Sequence, residues 1–373
     1  MKILLVDQIA KVNYKYTYSL AEAVSQEGND VILAVDQKKE SEHCTCTILR
    51  LFNTDEKSIG KFDKITNYFS SYKAIYNELK NGNYDVLHTQ WLIFSPVDYY
   101  YLKRIKRKLG IKLVVTIHDI LPFNKKFYDY YYHKKVYTLA DNIIVQAENN
   151  IQRFDQLFPS LAGKEIMIPH GHFLEYAEIV DQSKARRKLN IAEEKFVFLF
   201  FGQIKKVKGV GVLLEAFSQL LNKRSDVLLV IAGSVWKDDF SQYQELIDKH
   251  SMKNSVIKDI RYIPDEEVKY YYAASDCCVL PYLDVYQSGV IQLCYAHKKP
   301  VVATNIGAFK EVVIDGKTGF LCEPNNSEEL ADKMLLAIEK QDELEHMADE
   351  GYKYIEEKYS WKKIAKKTIN LYS

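Results

Sequence analysis

The sequence predicts an α/β protein of two doubly wound domains that face a central cleft. Short apolar runs alternate with helical patterns along the chain, which is typical of parallel sheets covered by helices. A length of 373 residues is natural for two such domains. Residues 173–194 are charged and lack strand character, so we predict a linker there, between an N-terminal domain at 1–178 and a C-terminal domain at 190–358.

The first domain is predicted to open with a strand, a helix and a second strand. The loop from Asp7 to Asn13 contains no glycine, so it carries no dinucleotide-binding fingerprint. The predicted strands are Lys2–Val6, Val31–Val35, Thr47–Phe52, Val86–Gln90, Lys112–Ile117, Asn142–Gln146 and Glu165–Ile168. The predicted helices lie around Leu20–Val24 and at Phe62–Leu79, Tyr99–Leu109, Tyr128–Leu139 and Ile151–Phe158.

The second domain is organised around the stretch Lys195–Leu221. Its apolar run Phe196–Phe201 predicts a buried strand, and a basic loop then leads to a helix. Ligands of open α/β sheets bind outside the carboxyl ends of strands, and the lysines of this loop can meet a diphosphate as point charges. The alternative is a solvated, lysine-rich connection. The further predicted strands are Val227–Ala232, Val256–Lys258, Cys277–Leu280 and Val301–Ala303, and residues from Ser327 onward are predicted to be helical.

The composition is that of a globular protein, with 47% hydrophobic and 27% charged residues. A net charge of +1 gives no electrostatic case for nucleic acid. The six cysteines lack metal-ligand spacing, and Cys44-Thr45-Cys46 is too tight for a zinc knuckle, so we predict buried free thiols and no metal-binding residues. No stretch approaches the roughly 18 apolar residues of a membrane span, and the first apolar run is too short for a signal peptide. We expect a cytoplasmic protein, either free or bound at the inner face of the membrane.

Several motifs of the second half follow one another in a recognisable order. They are FFGQIKKVKG at 200–209, VIAG at 230–233, RYIPDEE at 261–267, LP at 280–281, KPVVATNIG at 299–307, EVV at 311–313, DGKTGFL at 315–321 and YSW at 359–361. In these motifs the chain resembles the GT-B glycosyltransferases of glycosyltransferase family 4 over about 170 residues. Weaker matches in the first half are TIHD at 116–119 and IPHG at 168–171.

The resemblance implies the GT-B architecture of two Rossmann-like domains, with the last helix, 359–373, packing back on the first domain. It also implies transfer of a sugar from a nucleotide diphosphate sugar to a hydroxyl, on a lipid-linked glycan of cell-surface polysaccharide synthesis, with retention of configuration. It implies no metal or other cofactor, because basic side chains and a helix N-terminus hold the diphosphate charge. Two alternatives stay open: a non-catalytic sugar-binding or chaperone subunit, and a sugar-nucleotide epimerase.

The same resemblance implies which residues bind the donor. Those expected to bind it are Gln203, Lys205, Lys208, Gln287, Ser288, Gly289, Val290 and Glu311. The sequence departs from the family at three positions, since Gln203 replaces an arginine and Val285 and Leu293 replace two glutamates. Asp284, Gln287 and Gln292 lie close enough in sequence to replace some of those contacts.

Candidates in the first domain stand at strand ends. His118, which precedes Asp119, follows a predicted strand, and the resemblance places this histidine at the donor sugar; we predict the pair to be catalytic. For a histidine at a strand end, the alternative is a structural cap or core partner. The remaining candidates, for the acceptor side or the cleft, are Asn13, Tyr14, Gln90, Glu148 and His170.

Residues 97–137 combine basic and aromatic side chains and are called the basic aromatic patch. Amphipathic basic helices with aromatic residues suit the headgroup layer of anionic membranes. The alternative is a solvated face whose tyrosines are partly in the core; RNA also fits the composition, but no RNA-binding motif is present. The cations are Lys103, Arg104, Lys106, Arg107, Lys108, Lys112, Lys125, Lys126, Lys134 and Lys135, against Asp98, Asp119 and Asp129.

Overall fold

The protein forms two compact units. The computed structural model describes residues 1–36, 44–52, 60–122, 125–286 and 288–373. Unit 1 comprises Met1–Gly171 together with Tyr359–Ser373, and unit 2 comprises His172–Lys358.

Unit 1 is built on a seven-stranded parallel sheet. Its strands β1 to β7 are Lys2–Asp7, Asp30–Asp36, Thr47–Phe52, Val86–Thr89, Lys112–Ile117, Asn142–Val145 and Glu165–Met167. The order across the sheet is β3-β2-β1-β4-β5-β6-β7, and each neighbouring pair is parallel. Helices α1 to α5 are Ala10–Gln26, Lys61–Asn81, Ser95–Leu109, Asp129–Leu139 and Glu148–Leu157.

Helix α1 begins earlier than the sequence predicts. The backbone N–H of Ile9 donates to Asp7 Oδ1 at 3.0 Å, and this tight turn lets the helix start at Ala10, which is buried. Asn13 and Tyr14 therefore lie in the first turns of a helix, and the loop predicted up to Asn13 is shorter than expected. The helix starts early because the side chain of Asp7 satisfies a backbone donor at the turn.

Unit 2 carries a six-stranded parallel sheet. Strands β8 to β13 are Phe196–Phe201, Val227–Ala232, Val256–Asp259, Cys277–Leu280, Val301–Thr304 and Gly319–Cys322, in the order β10-β9-β8-β11-β12-β13. Helices α6 to α13 are Gln182–Leu189, Val210–Leu221, Ser241–Lys249, Asp265–Ala274, Gly289–Ala296, Phe309–Val312, Ser327–Glu339 and Leu344–Lys358. The prediction of two doubly wound α/β domains is confirmed. Strand β13 has no counterpart among the predicted strands, because its four residues follow directly on a turn and leave only a short apolar run.

Residues 173–194 are part of unit 2 and not the linker predicted from their charge. Helix α6 packs on α9, and the side chain of Arg186 is buried there. Its Nη2 pairs with Asp276 Oδ2 at 2.8 Å, and its Nε donates to the carbonyl of Ala274 at 3.2 Å. The charge of this segment suggested an exposed linker, but Arg186 is buried and its charge is paired with Asp276.

The last helix of the chain, α14, covers Trp361–Tyr372 and belongs to unit 1. A Cβ on Gly171 would lie 2.3 Å from the indole of Trp361, so only glycine allows this close contact. At the other end of α14 the hydroxyl of Tyr372 lies 2.6 Å from Nδ1 of the buried His88. Nε2 of His88 lies 2.7 Å from Thr116 Oγ1. Burial lowers the pKa of His88 to about 3, so the neutral ring donates one of these hydrogen bonds and accepts the other.

Replacing Tyr372 by Phe is expected to destabilise the protein by about 1–3 kcal/mol, because Nδ1 of the buried His88 then lacks its hydrogen-bond partner. Urea unfolding of wild type and variant measures the change. The matched control is Tyr100→Phe, which removes a hydroxyl from a side chain that is 54% exposed and should change stability by less than about 0.5 kcal/mol. Equal effects of the two substitutions would contradict the assignment.

Candidate functional site

In each sheet, the direction in which successive strands of the chain are added reverses once. In unit 1 the chain adds β2 and β3 on one side of β1 and then β4 to β7 on the other; in unit 2 the reversal lies between β8 and β11. The loops after two such strands lead to opposite faces of the sheet and leave a crevice at their carboxyl ends, where ligands of this class of fold bind. These places are called the switch points of unit 1 and unit 2.

At the switch point of unit 1, Gln90 is the centre of a buried hydrogen-bond network. Gln90 follows β4, and its Oε1 lies 3.0 Å from Nε2 of His118, which follows β5. The same oxygen lies 3.2 Å from Asn13 Nδ2 and 3.1 Å from Thr17 Oγ1. Asn13 and Thr17 are four residues apart on α1, so one face of the helix carries both. The structure thus brings together three of the predicted candidates.

Asp7 extends this network to the end of β1. Its Oδ2 lies 2.5 Å from Thr17 Oγ1. Burial raises the pKa of Asp7 to about 7, against the opposing effect of hydrogen bonds from Thr17 and Ile9. A protonated Asp7 can donate to Thr17, and the Thr17 hydroxyl is then available to donate to Gln90. While Asp7 is protonated, the network forms a continuous chain of hydrogen bonds that carries no net charge.

Aromatic rings fix the position of His118. The ring of Trp91 stacks on it, with centroids 4.6 Å apart and planes 17° apart. The ring of Tyr16 meets it edge-on at 5.0 Å and also lies 4.9 Å from the ring of His170 and 5.4 Å from that of Trp361. These contacts leave the imidazole of His118 a single orientation.

The histidines of this switch point are electrically neutral near pH 7. Burial lowers the pKa of His118 to about 3 and that of His170 to about 4. The side chain of Gln146 acts in the opposite direction and raises the pKa of His118, although it does not lie in hydrogen-bonding geometry. Nδ1 of His118 and Nε2 of Gln90 are buried and have no hydrogen-bond partner among the residues that the structure describes. Since buried polar atoms are normally satisfied, this arrangement suits a ligand that carries hydroxyl groups.

The other candidates of unit 1 lie in different surroundings. Asp119 is half-buried and directly follows His118. Nδ1–H of His170 donates to the carbonyl of Gly171 at 2.7 Å, so this histidine is also a local backbone partner. Tyr14 is half-buried on α1, and Glu148 is exposed as the first residue of α5.

At the switch point of unit 2, the basic loop between β8 and α7 lies against the end of β11. Gly209 has φ +70°, and a Cβ there would lie 1.8 Å from the carbonyl oxygen of Pro281. The N–H of Leu283 donates to the carbonyl of Val207 at 2.8 Å. Nζ of Lys208 lies 3.6 Å from the centroid of the Tyr282 ring. The ammonium group of Lys208 is thereby held beside the loop that leads from β11 to α10.

The N-terminus of α10 faces the same crevice. Ser288 precedes the helix, Gly289 and Val290 begin it, and Cγ2 of Val290 would lie 3.4 Å from a Cβ on Gly202. The hydroxyl of Ser288 is buried and has no partner in hydrogen-bonding geometry within the described ranges. N–H groups at a helix start, a buried hydroxyl and the neighbouring lysine are together an arrangement that can bind an anion, and this place is called the anion site of unit 2. Gln287 lies outside the described residues, so its role stays a prediction.

The two positions at which the family has glutamates carry no polar side chain in this chain. Val285 and Leu293 are both buried hydrophobic residues. Next to Leu293 on α10, Gln292 is buried, and its Oε1 has no hydrogen-bond partner in the part of the chain that the structure describes. Gln292 Oε1 is therefore a candidate acceptor for a ligand hydroxyl on this helix.

The other predicted donor residues line the loops of unit 2. Gln203 and Lys205 are half-buried in the basic loop, whereas Lys206 is exposed. Glu311 is half-buried on α11, and its backbone carbonyl accepts a hydrogen bond from the Tyr354 hydroxyl at 2.8 Å.

Four residues of the switch points have no counterpart among the predicted candidates. Asp7 could be found as a carboxylate at the end of an apolar strand, and Thr17 stands one helical turn after Asn13. Tyr16 and Tyr282 give no comparable sequence signal, because tyrosine is common throughout this chain.

Two family models together match most of the chain. The model described as Glycosyltransferase Family 4 matches residues 15–176, and the model described as Glycosyl transferases group 1 matches residues 181–354. Together with the two parallel-sheet units, these matches define the class of the protein as a glycosyltransferase. The chain belongs to the GT-B glycosyltransferases of the group 1 and family 4 type, as its motifs predict.

Among curated proteins, the lipopolysaccharide 1,2-N-acetylglucosaminetransferase of Salmonella typhimurium is 29% identical over 238 residues, 61% of this chain and 62% of that protein. The matches to two further relatives cover 47% and 60% of their lengths. The chain thus spans about half to three fifths of the length of these relatives.

Solved structures share the fold over the whole chain. The sucrose-phosphate synthase of Thermosynechococcus elongatus has a TM-score of 0.80 at 19% identity, covering 100% of this chain and 98% of that one. Anabaena HepE in complex with UDP and glucose has a TM-score of 0.76 at 20% identity, covering 99% and 98%. At these identities the likeness establishes the fold.

Replacing Asp7 by Asn is expected to remove a pH dependence of stability. The Asp7 carboxyl keeps its proton to about pH 7 in the folded chain but loses it near pH 4 when unfolded. The free energy of unfolding of the wild type should therefore fall by up to about 4 kcal/mol between these pH values and stay lowered above them. The amide of D7N does not titrate, so the stability difference should shift in favour of D7N as the pH rises.

Urea unfolding at a series of pH values measures this shift. Asp63→Asn, at an exposed carboxylate of the same unit, is the control and should follow the wild type. A difference between D7N and wild type that does not change with pH would show that Asp7 is ionised in the folded chain.

Proposed function

We propose that the protein transfers a sugar from a nucleotide diphosphate sugar to a hydroxyl group of an acceptor. The observation that carries this proposal is the anion site of unit 2, where Lys208, the buried hydroxyl of Ser288 and the start of α10 meet at one switch point. Membership of the glycosyltransferase family supports it. So do the names of similar proteins, which include an N-acetylglucosaminetransferase and a protein in complex with UDP and glucose.

In this proposal, unit 2 stabilises the departing nucleoside diphosphate. Negative charge develops on the diphosphate oxygens as the bond to the sugar breaks. The ammonium of Lys208, held over Tyr282, and the N–H groups at the start of α10 are already oriented towards such a charge, so little reorganisation is needed in the transition state. Lys205 supplies a second cation from the same loop. With this much positive charge from the chain, we propose that transfer requires no metal and no other cofactor.

At unit 1 we propose that His118 hydrogen-bonds a sugar hydroxyl. Its imidazole is neutral, is fixed by Trp91 and Tyr16, and presents a buried nitrogen that lacks a partner among the described residues. A neutral imidazole in this setting orients a hydroxyl rather than delivering a proton. Asp119, next to it in sequence, is proposed to act with it.

We propose a glycan hydroxyl as the acceptor, in the synthesis of a cell-surface polysaccharide, with retention of anomeric configuration. The similarity to a lipopolysaccharide transferase supports this class of acceptor. We place the reaction at the cytoplasmic face of the membrane. Among the described residues, no helix combines the length and apolarity needed to cross a bilayer.

The basic aromatic patch is proposed to bind anionic membrane surfaces. Helices α3 and α4 pack side by side, and the ring of Tyr99 lies 5.4 Å from Nζ of Lys103 on its own helix and 5.2 Å from Nζ of Lys135 on the other. Tyr100 and Tyr131 are more than half exposed beside them. Exposed aromatic rings between cations suit the headgroup region, where both the rings and the charges find partners.

A non-catalytic sugar-binding or chaperone subunit is the second candidate. The apolar, buried side chains at positions 285 and 293, where the family has glutamates, favour it. The two candidates separate on turnover, since a subunit binds but converts no nucleotide sugar.

Lys208→Gln is expected to lower kcat/KM for the donor about 100-fold or more, because one cation that meets the developing diphosphate charge is lost. The measurement is release of nucleoside diphosphate from UDP-, GDP-, dTDP- and ADP-sugars, with thermal shift to find the donor that binds. The control is Lys206→Gln, which neutralises an exposed lysine of the same loop and should retain nearly full activity.

Equal rates for both variants would show that Lys208 does not bind the donor. Thermal stabilisation by a nucleotide sugar that is never converted, with any acceptor glycan, would instead identify the protein as the non-catalytic subunit.

Neutralising Lys103, Arg104, Arg107 and Lys108 to Gln is expected to lower binding to phosphatidylserine vesicles by roughly two to three orders of magnitude, since each basic residue contributes about 1 kcal/mol near an anionic surface. Vesicle flotation at fixed salt measures the bound fraction. The control neutralises four exposed lysines of unit 2, namely Lys223, Lys249, Lys253 and Lys298, and should bind as the wild type does. Equal flotation of both variants would show that the basic aromatic patch is not the membrane-binding surface.

A further inference from the structure

The segment that enters strand β3 carries two cysteines beside a carboxylate of α1. Sulfur atoms of Cys44 and Cys46 and a carboxylate oxygen of Glu22 all lie within 4.8 Å of one another. All three side chains are half-buried, so the prediction of buried thiols is wrong for these two cysteines. The other four cysteines are buried as predicted.

Hydrogen bonds hold this group together. Oε2 of Glu22 accepts from the backbone N–H of Thr45 at 2.8 Å and from its hydroxyl at 2.9 Å. Oε1 of Glu22 accepts from Gln26 Nε2 at 3.1 Å, one turn further along α1. The carboxylate of Glu22 holds Thr45, the residue between the two cysteines. The sulfur atoms of Cys44 and Cys46 therefore lie close to the carboxylate and to each other.

This group lies far from the switch point of unit 1 within the sheet. Strand β3 is the edge strand, and β2 separates it from β1. The cysteines precede the amino end of β3, whereas the loops of the switch point follow the carboxyl ends of β1 and β4. The group is therefore independent of the proposed transfer reaction.

We propose that Cys44, Cys46 and Glu22 form a binding site for a thiophilic d10 cation, with Zn²⁺ as the principal candidate. Two thiolates and one carboxylate are ligands that Zn²⁺ accepts, with water in the fourth tetrahedral position. The spacing of one residue between the cysteines, too tight for a zinc knuckle with four protein ligands, is not an obstacle here. The third ligand comes from a helix that is distant in sequence.

The geometry requires only a small adjustment. A tetrahedral Zn²⁺ with bonds of about 2.0–2.3 Å sets its donors roughly 3.5–3.8 Å apart. The donor atoms must therefore close by at most roughly 1 Å, which half-exposed side chains can do by rotation. Binding displaces the thiol protons, so affinity rises with pH. The bound cation would fasten the edge strand of the sheet to α1.

The test is titration of the reduced, metal-free full-length protein with Cd²⁺ as a spectroscopic stand-in and with Zn²⁺ against a chromogenic chelator. The wild type is expected to bind one cation, with the ultraviolet charge-transfer absorption of a Cd–thiolate centre. C44S and C46S should each lose about half of that absorption, and the double variant should lose it entirely. Glu22→Gln should keep the absorption but weaken affinity about ten-fold or more. Zn²⁺ should raise the Tm of the wild type and not that of the double variant.

Circular dichroism and the metal-free Tm of C44S/C46S show whether the fold is intact, and Cys322→Ser, at a buried thiol of unit 2, is the matched thiol control. Absorption that persists in the folded double variant, or a wild type that shows none with equimolar Cd²⁺, would overturn the proposal. An unchanged affinity in Glu22→Gln would overturn the role of the carboxylate.

Discussion

The structure depends on one topological constraint, the single reversal of strand order in each parallel sheet. The connections after β1 and β4, and after β8 and β11, leave to opposite faces of their sheets, so side chains there are not covered by a crossing helix. Each reversal collects functional groups that are far apart in sequence. In unit 1 these are the polar residues around Gln90, and in unit 2 the basic loop and the start of α10.

The two switch points solve opposite electrostatic problems. In unit 1 the groups are deeply buried, and burial raises the pKa of Asp7 to about 7 and lowers that of His118 to about 3. The result is a rigid array of donors and acceptors with little charge, suited to hydroxyl groups. In unit 2 the ammonium of Lys208 lies over the face of the Tyr282 ring, and α10 begins at the same switch point, an arrangement that suits a diphosphate.

The fold could be predicted closely wherever the strands are long runs of apolar residues. Phe196–Phe201 and Val227–Ala232 have the predicted ends, because a continuous apolar run gives clear limits. Thr47–Phe52 also has the predicted ends, although Arg50 interrupts its apolar residues. The prediction was wrong where tertiary contacts decide. The paired charges of α6 look like a linker in the sequence, and the turn held by the side chain of Asp7 lets α1 start at Ala10, inside the loop predicted to end at Asn13.

The sequence indicated individual candidate residues, whose roles stay predictions, but it did not indicate the hydrogen bonds that connect them. Strand ends indicated Gln90 and His118, and the motif indicated Lys208. Nothing in the sequence shows that Thr17 links Asp7 to Gln90, or that Glu22 stands beside Cys44 and Cys46, because these contacts depend on the packing of α1 against the sheet. Sequence spacing alone therefore excluded a metal site that needs a ligand from another element.

The return of α14 to unit 1 has a consequence for synthesis of the chain. Tyr372, second from the last residue, fills a buried position against His88, whereas unit 2 is complete at Lys358. A ribosome releases the chain from its N-terminus, so all residues of unit 2 emerge before the last helix of unit 1. The unit whose first residues are translated first is therefore completed only after unit 2, and an apolar surface of unit 1 stays uncovered until α14 has emerged.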